Sequence, residues 1–183
     1  DFESLHDVWT HPSVYRYISG QPSTRERSWA RLLQYIGMWQ AIGYGFWALE
    51  EKATGRYMGD AGFADFNREI EPPFGETPEI GWVLAPEMHG RGYGREALAG
   101  ILEWGNDFFT ANSTRCIISP DNIASLRIAE KNGFSRIAET TYTGEPVWLR
   151  QVHGTRVIDL DSPLTLEGDA AITRPRGTVC GIQ

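Results

Sequence analysis

Cysteine is scarce in this chain of 183 residues. Cys116 and Cys180 stand far apart with no CxxC pair, which disfavours a disulfide framework. The four histidines, His6, His11, His89 and His153, show no HxxxH or HExxH spacing, so a zinc site is disfavoured and no metal is expected. No apolar run approaches the ~18 residues of a membrane span, and Asp1-Phe2-Glu3-Ser4 lacks the basic-then-apolar order of a signal peptide. The expectation is a cytoplasmic protein. Basic residues form no long run and the net charge is -7, so neither nucleic acid nor an anionic membrane is an expected partner. An anionic ligand would need a local positive site. What the chain does have is 41% hydrophobic and 22% charged residues, the balance of one globular domain.

Periodicity divides it into elements. Phe2, Leu5, Val8 and Trp9 recur on one face of a helix that ends before Pro12. Ser23 and Glu26 match a capping box, and Trp29, Leu32, Leu33, Ile36 and Trp39 then predict a second helix, stopped at Gly43-Tyr44-Gly45. Phe46 to Leu49 and Tyr57 to Phe66 read as a hairpin turning at Thr54-Gly55. A loop containing Pro72-Pro73 leads to the strand Glu79 to Leu84, which ends before Pro86. Next come a glycine loop, a helix to about Phe109 and the strand Arg115 to Ser119, an order that implies a right-handed parallel crossover. A short helix from Ile123 to Asn132 is capped by Gly133, and Phe134 to Tyr142 with Val147 to Val152 make a final hairpin. The sum is a mixed sheet with helices, here taken as one domain over residues 1–160. The tail 161–183 has weak periodicity and no predictable structure.

The glycine loop, Gly90-Arg91-Gly92-Tyr93-Gly94, opens a helix striped by Leu98, Ile101, Leu102 and Phe108. Unpaired amides and the macrodipole at such a helix start favour a phosphate, and glycine lets the anion approach closely. Arg91 and Arg95 add charge. Neither Lys-Ser nor Lys-Thr follows the last glycine, which sets aside an ATP-binding P-loop. The spacing is GxGxG with no acid at the required distance, which sets aside a dinucleotide fold. The pyrophosphate of another cofactor remains.

The strand Glu79-Ile-Gly-Trp-Val-Leu84, the loop His89-Gly-Arg-Gly-Tyr-Gly-Arg95, Asn122-Ile-Ala-Ser125 and Glu130-Lys-Asn-Gly-Phe134 together resemble the GNAT superfamily of acetyl-CoA-dependent N-acetyltransferases. The nearest branch is the RimJ/RimL-like one, named for enzymes that acetylate the N-termini of ribosomal proteins. The resemblance covers Asp1 to Val152. Its implied fold is α/β (α+β): a mixed, mostly antiparallel twisted sheet with a central splayed parallel pair, flanked by helices. Two positions depart from the common superfamily pattern. His89 stands where Gln or Arg is usual, and Ala129 stands where many members carry the tyrosine that protonates the departing thiolate. Ser125, one turn earlier, is the polar residue there, as in the RimJ/RimL-like branch.

The resemblance implies acetyl-CoA as cosubstrate, held by Trp82, Val83, Leu84, His89, Gly90, Arg91, Gly92, Tyr93, Gly94, Arg95, Asn122, Ser125 and Lys131. In the gap between the splayed strands the pantetheine arm would act as a short added strand. Arg127, Lys131 and Arg136 stand open between the adenosine phosphate and plain surface roles. The attacking amine must lose a proton and the sulfur must gain one. Glu79 is the first candidate for base, directly or through water, with Glu145 in competition, and Ser125 is the candidate donor to the thiolate. The acceptor is a primary amine, either a peptide or protein α-amino group or a small molecule. Its specificity is expected in the first two helices and in the loop Phe66 to Pro78. A non-catalytic acyl-CoA-binding module is the alternative, motivated by Ala129. Related enzymes are often homo-oligomers. Members of the branch carry a strand ahead of the helix that here begins at Asp1, and the tail after Val157 is the segment expected to fill that edge beside Phe46 to Leu49.

Overall fold

A computed structural model describes residues 2–142 and 145–153, together with the backbone of the strand segments 157–159 and 170–172. Its centre is a six-stranded sheet of order β1-β2-β3-β4-β6-β5, made of β1 (Phe46–Glu51), β2 (Arg56–Ala64), β3 (Glu79–Leu84), β4 (Ser113–Ile118), β5 (Ser135–Tyr142) and β6 (Glu145–His153). Every neighbouring pair is antiparallel except β3 and β4. This is the mixed, mostly antiparallel sheet with a central parallel pair that the resemblance implies.

Helices cover both faces. On one lie α1 (Phe2–Thr10) and α3 (Arg25–Ile42), whose Leu5, Val8, Trp9, Tyr35 and Met38 bury against Phe46, Met58 and Val83. On the other lie α4 (Tyr93–Phe108) and α5 (Ile123–Lys131), where Leu98, Ile101, Leu126 and Ala129 pack on Phe63, Ile80, Cys116 and Phe134. Alternation along β3 serves both layers: Ile80 joins the α4 side and Val83 the α1 side, as a period of two requires. The short helix α2 (Pro12–Tyr15) begins at His11, whose Nδ1 accepts from the Ser13 amide.

Several expectations are corrected. The α3 cap is Thr24, whose hydroxyl accepts from the Arg27 amide at 3.2 Å; Ser23 instead takes a bond from the Ser28 hydroxyl at 3.0 Å. The buried face of α3 is Ser28, Tyr35 and Met38, whereas Trp29, Leu33 and Ile36 are exposed. Ser28 is buried because it hydrogen-bonds His6 of α1 at 2.9 Å, and Trp29 lies edge-on to Phe2. The first helix ends before Pro12, as expected, and Pro12 itself opens the short helix α2. The described tail segments do not pair with β1: β7 (Val157–Asp159) pairs in parallel with β8 (Ala170–Ile172), and β1 remains a sheet edge among the described residues. The rest of the expected tail, 161–169 and 173–183, lies outside the described residues, as does the turn 143–144.

Candidate active site

β3 and β4 are paired at one position, Glu79 with Arg115, where the Arg115 amide also donates to the Pro78 carbonyl at 3.0 Å. From there β3 runs on to Leu84 without a ladder partner in β4. Main-chain groups of Trp82 and Val83 on that side therefore have no ladder partner in β4, and leaving such a group buried without one would cost ~1–3 kcal/mol. The Trp82 indole Nε1 is likewise buried with no hydrogen-bond partner among the described residues.

A cavity of about 500 Å3 opens at this splayed end. Trp82, Val83 and Leu84 form one side, with Met88, His89, Gly90, Gly92, Gly94 and Arg95 at its floor. α5 supplies Asn122, Ser125, Arg127 and Lys131. The structure thus brings together most of the residues predicted to hold the cofactor.

Local chemistry explains the floor. Pro86 to Met88 turns the chain out of β3, and His89 Nε2 donates to the Leu84 carbonyl at 2.9 Å, tying the loop to the strand end. Gly92 caps α4 in the left-handed region, φ +89°, with no side-chain cap, so the first amides of α4 have no side-chain acceptor. A Cβ at Gly92 would meet nothing within 4 Å: the position faces open space. Gly94 differs, since a Cβ there would sit 2.8 Å from Ile128 Cδ1 and 2.9 Å from Leu84 Cδ1; its lack of a side chain lets α4 close onto α5 and β3.

Two loop residues predicted as ligands turn elsewhere. Arg91 and Tyr93 do not line the cavity; Glu51 at the end of β1 accepts from the Tyr93 hydroxyl at 2.6 Å and from Arg91 at 3.0 Å. On α5, Asn122 Oδ1 accepts from the Ser125 amide at 3.1 Å, which caps the helix and presents the half-buried Ser125 hydroxyl at the wall. Ala129 is fully buried in the core beneath. Arg127 and Lys131, one turn apart, both face the cavity, while Arg136 pairs with Glu139 at 2.8 Å and stacks on Trp148.

Glu79 sits at the closed end of the β3–β4 pair and does not line the cavity. Arg68 grips it in a fork, Nε to Oε2 at 2.6 Å and a terminal nitrogen to Oε1 at 2.8 Å, and Arg68 is itself sandwiched between Phe66 and Tyr142 at 4.5 Å from each ring. Burial pushes the Glu79 carboxyl up, opposed by Arg68. Glu145 begins β6, and its side chain lies outside the described residues. Cys116 is fully buried and its thiol is pushed far up by that burial, so it is no nucleophile here.

One wall carries no sequence motif. Ser13, Val14, Arg16, Tyr17 and Ile18, from α2 and the turn after it, also line the cavity. None of the α1, α3 or 66–78 residues expected to set acceptor specificity lines it.

Comparison with known proteins agrees with this geometry. Residues 1–135 match the family model described as an acetyltransferase (GNAT) domain. YkkB, an uncharacterized protein of Bacillus subtilis, is 32% identical over 127 residues, covering 69% of this chain and 70% of its own. Among solved structures, a Bordetella pertussis protein assigned to the GNAT acetyltransferases is 27% identical, with a TM-score of 0.70 over 82% of this chain and 88% of its own. The aminoglycoside acetyltransferase AAC(6')-Ib in complex with coenzyme A is 17% identical, with a TM-score of 0.68 over 84% and 89%, a likeness of fold.

Proposed function

The chain belongs to the GNAT acetyltransferase family, and from that premise we propose that it transfers the acetyl group of acetyl-CoA to a primary amine by direct attack of the nitrogen on the thioester. The observation that carries this reading is the single cavity in which the unpaired end of β3, the glycine turn and the α5 N-terminus meet.

The residues fit the cosubstrate. The α4 N-terminus at Gly92, with its dipole and Arg95, suits a diphosphate, and Arg127 and Lys131 suit the remaining phosphate. Main chain at Trp82 to Leu84, the Trp82 indole and Asn122 suit an amide-bearing arm. Acetyl-CoA brings an activated thioester; the protein must orient it, exclude water and manage two protons.

Ser125 is the group at the wall suited to donate a hydrogen bond to the departing sulfur. A serine hydroxyl is a poor acid, so its contribution is stabilisation through donation. Ala129, buried and without a polar group, leaves Ser125 that role, which supports the RimJ/RimL-like reading. Glu79, outside the cavity lining, takes the amine proton through a chain of waters: it stands three residues before Trp82, about 10 Å along the strand at ~3.3 Å per residue. Its raised affinity for protons suits a base, and Arg68 holds it in place.

Calorimetry with CoA, followed by free-thiol release from acetyl-CoA over a panel of primary amines, tests the proposal. We expect binding, and release with at least one amine. Ser125→Ala should lower turnover more than cofactor affinity. Binding by the wild type without thiol release for any primary amine would contradict transfer.

A further inference from the structure

Among the described residues, all charged side chains lining the cavity have one sign: Arg16, Arg95, Arg127 and Lys131 line it and no described aspartate or glutamate does, although the whole chain carries -7. Three of these cations belong to the glycine-turn side: Arg95 lies in the first turn of α4, and Arg127 and Lys131 lie one turn apart on α5. Arg16 comes from a different segment. It caps the C-terminal end of α2, and with Ser13, Val14, Tyr17 and Ile18 it forms the face that no cofactor motif claims.

Arg16 is exposed, and its guanidinium rests on the Tyr17 ring at 4.5 Å. That stacking orients the planar group without neutralising it, and no carboxylate pairs with Arg16 among the described residues. A guanidinium fork presented this way matches the two oxygens of a carboxylate. Tyr17 and Ile18 beside it offer apolar surface to a small organic body.

We propose that Arg16 holds a carboxylate of the acceptor, so that the substrates are primary amines bearing a carboxylate a few bonds from the nitrogen, such as an amino acid or a short acidic peptide. The inference rests on the acetyltransferase reading and narrows its acceptor. A polyamine fits poorly, because its second ammonium would face Arg16 with no acid among the described wall residues to offset the repulsion. The acids Asp65, Glu69, Glu71 and Glu76, on the loop between β2 and β3, are outside the lining, and Glu79 is already paired with Arg68.

The test uses the full chain, saturating acetyl-CoA and amines matched in threes: an α-amino acid, its carboxamide and its decarboxylated amine, with spermidine alongside. For at least one set, kcat/KM for the carboxylate should exceed that for its carboxamide by about tenfold, the scale of a charge-assisted pair. Arg16→Gln should bring that ratio close to one, Arg16→Lys should restore part of it, and the CoA affinity of both variants should match wild type. If Arg16→Gln weakens CoA while the ratio stands, Arg16 serves the cofactor's phosphates and the assignment fails. It fails equally if carboxamides or spermidine are used as well as the carboxylates, or if no carboxylate-bearing amine is acetylated. A wild type that binds no CoA would overturn the acetyltransferase reading itself, a result distinct from all of these.

Discussion

Glu51 accepts the Tyr93 hydroxyl at 2.6 Å, joining the end of β1 to the first residue of α4 across the glycine turn. Arg91 donates to the same oxygen at 3.0 Å, and Thr54 donates to the other at 2.8 Å. These bonds hold the Glu51 carboxyl below its ordinary range, with the Tyr93 hydroxyl the largest cause. The loop's two bulkiest side chains are thereby drawn outward, and its glycines are left facing the cavity.

Arg91 and Arg95 should consequently behave differently although both flank the turn. Arg95→Ala removes a charge from the cavity wall and should weaken CoA about tenfold, the scale of one charge-assisted hydrogen bond. Arg91→Ala should change affinity less than threefold, by the same scale for a group outside the cavity. Calorimetry decides, and equal losses would place Arg91 at the phosphates.

Gly92→Glu fills and charges the open space at the α4 cap, and should abolish detectable CoA binding while the fold persists. Gly75→Glu is the control: it too has positive φ and open space, but lies outside the cavity lining. Both changes carry a left-handed backbone penalty of ~1–2 kcal/mol, so their melting temperatures should fall alike. Loss of CoA affinity in both would make the effect one of strain.

Glu79→Gln keeps the side chain's shape and one arm of the Arg68 fork but cannot take a proton. Turnover should fall by ~10- to 100-fold, the lower range for general bases, with KM for acetyl-CoA unchanged. Because burial raises the carboxyl's proton affinity, wild-type kcat/KM for the amine should rise with pH through a limb above the ordinary glutamate range, and the variant should lack it. An intact limb in Glu79→Gln would remove the residue from proton transfer.

Asp60 supplies a pH effect on stability. It is 3% exposed beneath α1, near Trp9, Tyr57 and Arg31, and burial pushes its carboxyl up to about 6. The folded protein binds this proton more tightly than the unfolded chain, so its contribution falls as pH rises from about 4 to about 6 and stays lost above. Relative to wild type, Asp60→Asn should gain on the order of 2–3 kcal/mol between pH 4 and pH 7.5, the equivalent of about two pKa units. Denaturant melts at the two pH values measure that difference, and parallel curves would contradict it.

Much of the site was readable because its parts are local. β3 is bounded by its own pattern and by Pro86, and the glycine turn is contiguous with the helix it caps, so short-range spacing sufficed. The orientation of Arg91 and Tyr93 was hidden because their partner, Glu51, lies about forty residues earlier on another strand. Arg16 escaped notice because α2 is a four-residue helix with no periodicity to register. Residue type misled on α3, where Trp29, Leu33 and Ile36 are apolar yet exposed; the buried face contains Ser28, made tolerable by its bond to His6. The Glu79 clamp was equally invisible, since Arg68 belongs to a loop whose course the sequence does not fix.

Crystals grown with CoA test the central claim most directly. The account predicts the diphosphate on the amides at the Gly92 end of α4 and the pantetheine arm along Trp82 to Leu84, opposite β4. A cofactor bound elsewhere, with this turn unliganded and β3 lacking a partner, would contradict it.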